Sequence, residues 1–153
     1  MPSASFLALQ AFFESSPAAR AATRPLGPGA EVALRLDGDE EAHFTMASGR
    51  PEIVAGPARA PDFTLRLPEQ AVRRITAIQG DDVGAHGVAF FSLAVSKDPL
   101  LKIRVQLAAP TGRLLGHGYL GVLAAGGLKV GLWLLRKGIK DPRAAIDRLR
   151  GVR

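Results

Sequence analysis

Polar and apolar positions alternate strictly in two short stretches of this chain, and the other segments can be placed around them. In Asp62-Phe63-Thr64-Leu65-Arg66-Leu67, the side chains of Phe63, Leu65 and Leu67 share one side, and in Lys102-Ile103-Arg104-Val105-Gln106-Leu107 those of Ile103, Val105 and Leu107 do the same. A period of two marks a strand with one buried face, which sends Asp62, Thr64 and Arg66 outward. Helical spacing fills the interval between the two strands. Over residues 68–79, Ala71, Val72, Ile75 and Ile78 form a stripe with Arg73 and Arg74 opposite, Pro68 suits the first helical position, and Gly80 ends the run. Asp81 or Asp82 can cap the next helix, whose stripe of Val83, Phe90 and Leu93 is joined by Val88, Phe91 and Val95. That helix is apolar nearly all round, so it requires cover on more than one side. Lys97-Asp98-Pro99 breaks it before the last strand.

Upstream, residues 3–14 place Phe6, Leu9 and Phe13, with Leu7 and Phe12, at helical intervals behind Ser3 or Ser5 as cap, and Pro17 ends the run. Residues 15–30 are rich in Ala, Pro and Gly, and Pro25, Gly27, Pro28 and Gly29 predict a linker without a helix. Val32, Leu34 and Leu36 then alternate in a first strand, and Phe44 and Met46 in a second, on either side of the turn signal Asp37-Gly38-Asp39-Glu40. Gly49-Arg50-Pro51 predicts the next turn, and residues 52–55 a short third strand stopped by Gly56-Pro57. The first four strands are expected to meander with one apolar side, and residues 102–107 to add the fifth. Residues 114–135 are apolar again, interrupted by six glycines and Lys129. Residues 119–135 fall short of the roughly 20 needed to span hydrocarbon, so a transmembrane helix is not expected. Asp141-Pro142 predicts a last helix with Ile146 and Leu149 as its apolar contacts.

The fold class predicted is α+β, a five-stranded, mainly antiparallel sheet with helices covering one face. At 153 residues a single domain over 1–153 is expected. It divides into an N-terminal helix and linker (1–30), the sheet and its covering helices (31–109), and apolar and basic C-terminal helices (114–153). Hydrophobic residues make up 47% and charged residues 22%, which excludes wholesale disorder. The absence of cysteine excludes disulfides, thiolate metal sites and cysteine nucleophiles. Residues 1–13 lack the basic flank and cleavage pattern of a signal peptide, and a cytoplasmic location is the expectation.

The net charge of +6 suggests nucleic acid or membrane until it is located. Residues 1–128 carry 12 basic and 12 acidic side chains, whereas residues 129–153 carry 8 basic and 2 acidic ones. All the excess is C-terminal. Such a segment beside apolar sequence is suited to transient contact with an anionic membrane, and equally to a solvated helix end. Nucleic acid is not expected, because Phe63, Phe90, Phe91 and Trp133 sit in apolar stretches rather than between basic residues.

Local motifs for catalysis are weak. Gly116-His117-Gly118-Tyr119-Leu120-Gly121 matches G-x-G-x-x-G with Asp141 downstream, but Pro110 and Gly112 separate it from the strand such a fingerprint requires. His43, His86 and His117 have no partner at ligand spacing, which predicts structural or solvated rings and no metal. The acids at 37–41 read as a hairpin tip and Asp81-Asp82 as a helix cap. No enzyme and no cofactor are expected. What stands out is the apolar interior, read either as a large close-packed core or as the lining of a ligand cavity.

The order of these segments bears on that choice. An N-terminal helix, a hairpin carrying Arg35-Leu36-Asp37-Gly38-Asp39, a third strand, and Pro61-Asp62-Phe63-Thr64-Leu65-Arg66-Leu67-Pro68-Glu69 entering a helix resemble the sterol carrier protein type-two, or non-specific lipid transfer, domain family. The resemblance covers about residues 6–135. It implies a tunnel for a fatty acyl chain or sterol-like lipid between sheet and helices, with binding and transfer rather than catalysis. On that reading the wall is expected from Phe63, Leu65, Leu67, Val72, Ile75, Phe90, Phe91, Leu93, Ile103 and Val105. The alternative is a structural or interaction module whose apolar C-terminal helix packs on a partner or on a second copy as a homodimer.

Overall fold

The computed structural model describes residues 3–78, 82–109 and 111–118, with the side chains of residues 91, 111, 112 and 115 outside the description. The expected helices over 114–135 and 141–149 therefore lie almost wholly outside the described residues, as do the basic residues of 129–153.

Helix α1 (Ala4–Ser15) starts where Ser3 accepts a hydrogen bond from the Phe6 N–H at 3.1 Å. The same Ser3 is tied to Glu40, with its backbone N–H 3.0 Å from Oε2 and its hydroxyl donating to Oε1. Helix α2 (Pro17–Thr23) follows directly and corrects the expectation of a helix-free linker over 15–30. The reason is local. Ser16 accepts from the Ala19 N–H at 3.3 Å, Pro17 occupies the first turn, and Ala18, Ala19, Ala21 and Ala22 favour helix, while the helix-breaking prolines come only afterwards.

The sheet comprises β1 (Glu31–Arg35), β2 (Glu41–Ala47), β3 (Arg50–Ala55), β4 (Phe63–Arg66) and β5 (Arg104–Leu107) in the order β3-β2-β1-β4-β5. The 3-10 turn Asp37–Asp39 joins β1 to β2. Ser48 and Gly49, both at positive φ (52° and 76°), make the next turn, so Arg50 and Pro51 already belong to β3 rather than to the turn. Pro51 is tolerated because β3 is an edge strand. Three of the four pairings are antiparallel, but β4 runs parallel to β1, with Val32 opposite Phe63 and Arg35 opposite Arg66. The fourth strand thus does not continue the meander. The chain after β3 crosses back over the sheet to lie beside β1, and it is pinned on the way. Gly56 N–H donates to the Glu41 carbonyl at 3.0 Å, Nδ1 of His43 is 3.0 Å from the Gly56 carbonyl, and the Ala60 N–H is 2.9 Å from the Glu31 carboxylate.

Helix α3 (Glu69–Thr76) begins after Pro68, which takes the cap position rather than the first helical one. Its first N–H, that of Glu69, is satisfied by Asp37 Oδ2 at 2.9 Å, from just beyond the end of the neighbouring strand β1. Helix α4 (Val83–Ala94) is capped by Asp82, which accepts from the Ala85 N–H at 3.1 Å. Lys102 Nζ donates to the Ala94 carbonyl at the other end of α4, at 3.1 Å. Helix α5 (Thr111–Gly116) follows β5. Helix α1 packs on β3 and α3, α2 on β3 and α4, and α3 on α4, all over one face of the sheet. There Val32, Leu34, Phe44, Met46, Ile53 and Val105 meet Phe6, Leu9, Ala71, Val72 and Leu93 in one buried cluster. The architecture is α+β, a mainly antiparallel five-stranded sheet with helices on one side. Among the described residues, no helix is long and apolar enough to cross a membrane.

Candidate functional site

The residues expected to form a wall converge. Leu67, Val72, Leu93, Ile103 and Val105 are buried in the single large cluster, and Phe63, Leu65, Ile75 and Phe90 pack against it with part of their surface in solvent. Phe91 lies on α4, but its side chain is outside the description. Alternation explains the strand positions and the helical stripe explains Val72 and Ile75. The partial exposure is not evenly spread. Phe63, Leu65 and Leu107 belong to the β4–β5 half, and among the described side chains of α4 only Gly84, Leu93 and Ala94 are buried while Val83, Val88 and Phe90 are partly exposed. Just beyond α4, Val95 and Leu100 are 49% and 60% exposed.

A polar cluster not expected from local spacing closes the same half. Asp62 was predicted to face outward with Thr64 and Arg66, yet it is fully buried. It stands in the bend just before β4, and α5 folds over that end of the sheet. Arg113 Nε donates to Asp62 Oδ1 at 3.1 Å, and His117 Nδ1 lies 3.0 and 2.9 Å from the two carboxylate oxygens. The Glu31 N–H adds a longer bond of 3.3 Å to Oδ2. The backbone of Asp62 works in the same direction, donating to the Glu31 carbonyl at 2.8 Å and accepting from Ala108 and Ala109 at 3.0 and 2.9 Å. A buried carboxylate is tolerable only when its lone pairs are matched in this way. One residue therefore joins β1, β4, β5 and α5.

His117 is accordingly not isolated. Its carbonyl accepts from the Gly27 N–H at 3.1 Å, and a Cβ on Gly29 would stand 3.2 Å from its Nε2, so the ring is packed against the segment leading into β1. Gly118, with φ 93°, approaches the chain so closely that a Cβ there would fall 2.1 Å from the Pro25 carbonyl oxygen. Within the G-x-G-x-x-G match, Gly118 thus serves a close approach of two backbones just after a helix, whereas a Cβ on Gly116 would meet nothing within 4 Å. The other two histidines have structural partners. His43 holds the crossover, and the ring nitrogens of His86 face the carbonyls of Asp82 and Ile78 at 2.8 and 3.3 Å while the ring lies on Phe12. Arg113 and His117 lie 51 and 55 residues from Asp62 along the chain, beyond the reach of any local motif; the only sequence hint was the glycine pair flanking His117.

No family model matches the sequence, and no curated protein matches it. Among solved structures, the chain is similar to one titled "UbiJ-SCP2 Ubiquinone synthesis protein", with a TM-score of 0.42 and 15% identity over 79% of this chain and 88% of that one. At that level the likeness carries no argument about ligand or role.

Proposed function

We propose that the chain binds a hydrophobic ligand, a fatty acyl chain or sterol-like lipid, against the half-covered apolar face made by β4, β5 and α4, and performs no chemistry on it. The observation that carries this reading is α4. It has no acidic or basic residue apart from His86 over Val83–Ala94, yet Val83, Val88 and Phe90 keep part of their surface in solvent, as do Phe63 and Leu65, and Phe63, Leu65 and Phe90 pack against the same core cluster. Apolar surface removed from water is worth about 25 cal/mol per Å², so a lipid laid along this face gains what the fold has left unburied. Transfer would come from transient contact of the basic 129–153 segment with anionic membrane.

Native mass spectrometry of gently purified protein, with displacement of a fluorescent fatty acid, tests the reading. A bound lipid or a displaceable probe is the expected result, and Phe90→Asp is expected to remove it while the melting curve stays cooperative. Protein that arrives ligand-free and ignores every such probe overturns the proposal. The exposed Val95, just beyond α4, favours one rival, in which the same face receives a partner or second copy of the chain. Light scattering separates the two, since the rival requires a dimer or hetero-complex that Phe90→Asp dissolves and lipid does not.

A further inference from the structure

The face of the sheet away from the helices carries a second feature. Outward side chains on neighbouring strands fall into rows set by the register. Ala33, Thr64 and Gln106 form a neutral row, and next to it Arg35 stands opposite Arg66, and Arg66 opposite Arg104. Three guanidinium groups are thus placed on consecutive strands about 4.8 Å apart. Like charges directly opposite one another on a sheet are unfavourable, so the row carries a cost in the free protein. Arg35 offsets its share through Glu41 at 3.1 Å, whereas Arg66 and Arg104 make no ion pair among the described residues.

The row lies in an open concavity of about 1560 Å³. Ala33, Thr64 and Gln106 contribute to its floor; Pro57, Ala58 and Pro61 of the crossover border it on one side and Pro99 and Leu100 on another. Four acids also line it, and three have their own partners. Glu41 holds Arg35, Glu69 holds Arg73 at 2.7 Å, and Asp37 accepts from the Glu69 N–H, which leaves Asp39 at the tip of the β1–β2 turn. Positive charge is therefore concentrated at the β4–β5 end, on Arg66 and Arg104, with Lys102 nearby.

We propose that this outer face binds a soluble phosphate-bearing ligand between Arg66 and Arg104, with Arg35 at its flank. The chemistry selects phosphate. A carboxylate offers two oxygens, which one guanidinium fork satisfies, whereas a phosphate dianion offers three oxygens and up to two charges to a pair of adjacent forks. The walls of the concavity favour a discrete molecule over a planar bilayer. The site lies across the sheet from the apolar face, so its test is independent of lipid binding.

Titration calorimetry of the full chain with inorganic pyrophosphate at low salt is the direct test. Binding is expected, weakened about tenfold or more in Arg66→Gln/Arg104→Gln, as losing a charge-assisted hydrogen bond implies. Arg66→Lys/Arg104→Lys, which keeps the charge and loses the forks, is expected to weaken it less. Arg20→Gln/Arg24→Gln, on the helix side, is expected to leave it unchanged. Without ligand, the glutamine double variant is expected to melt no lower than the parent, since repulsion has been removed. Absence of pyrophosphate binding overturns the proposal, as does an equal loss in the Arg20/Arg24 control. Association confined to phosphatidylglycerol vesicles overturns it in favour of a membrane contact.

Discussion

The two halves of the sheet are built from the same alternation and finished differently. Under α1 and α2, the β1–β2–β3 half is closed, with Val32, Leu34, Phe44, Met46 and Ile53 all buried. In the β4–β5 half, Phe63, Leu65 and Leu107 occupy equivalent inward positions and stay half-exposed, while the polar Asp62 is sealed inside. Alternation decides which way a side chain points. What lies over it depends on what the rest of the chain delivers, and among the described residues Phe63, Leu65 and Leu107 are covered less fully than the inward residues of β1, β2 and β3.

The sharpest way to break this contrast is a matched pair of truncations. Phe44→Ala is expected to lower the unfolding free energy by about 3–5 kcal/mol, as deletion of a fully buried aromatic does, whereas Phe63→Ala is expected to cost less, about 2–3 kcal/mol, because part of its surface is in water. Equal losses in urea unfolding would remove the distinction between the halves. Asp62→Ala is expected to cost about 3 kcal/mol, the low end for breaking a buried ion pair, since the Arg113 side chain left behind is 42% exposed and can be hydrated. Hydrogen exchange should then rise in β5 and α5 while β2 and β3 stay protected; uniform loss across the sheet would show that Asp62 does not act locally. Gly118→Ala is expected to cost about 1–3 kcal/mol, because the left-handed backbone and the Pro25 carbonyl both oppose a Cβ. A thermal melt unchanged by this substitution would contradict the close approach. Arg113→Gln, which leaves the His117 contact in place, is expected to cost no more than about 1 kcal/mol.

Most of the strand faces could be read from the chain because each inward residue follows from its neighbours two positions away. Val32, Leu34, Phe44, Phe63, Ile103 and Val105 are all where the period of two puts them. The stripe of α3 and the Asp82 cap of α4 follow from equally local chemistry. Helix α2 is legible in the same local terms, since Ser16-Pro17 before a run of alanines is a cap and first-turn proline, and the prolines at 25 and 28 break the chain only after the helix has ended. The parallel partnership of β4 with β1, and hence the arginine row, depends on strand order, which no window of sequence contains. Asp62 misled for a related reason. Its parity in the alternation is outward, and only α5, arriving from about fifty residues downstream, makes that position an interior one.

The central position of β1 also bears on how the molecule assembles. The β1–β2–β3 meander needs only two short turns, and loop closure of that kind is fast and inexpensive in chain entropy. The pairing of Val32 with Phe63 must wait for the crossover to return. We therefore expect β1 to serve as a template, one edge satisfied early by β2 and the other open until residues 62–66 arrive. Pulse-labelled hydrogen exchange during refolding is expected to protect β2 and β3 amides before those of β4 and β5; simultaneous protection would show the sheet forming as one unit. While it waits, the open edge presents unpaired N–H and C=O groups beside apolar side chains, the state in which a sheet protein is most exposed to pairing with another copy of itself.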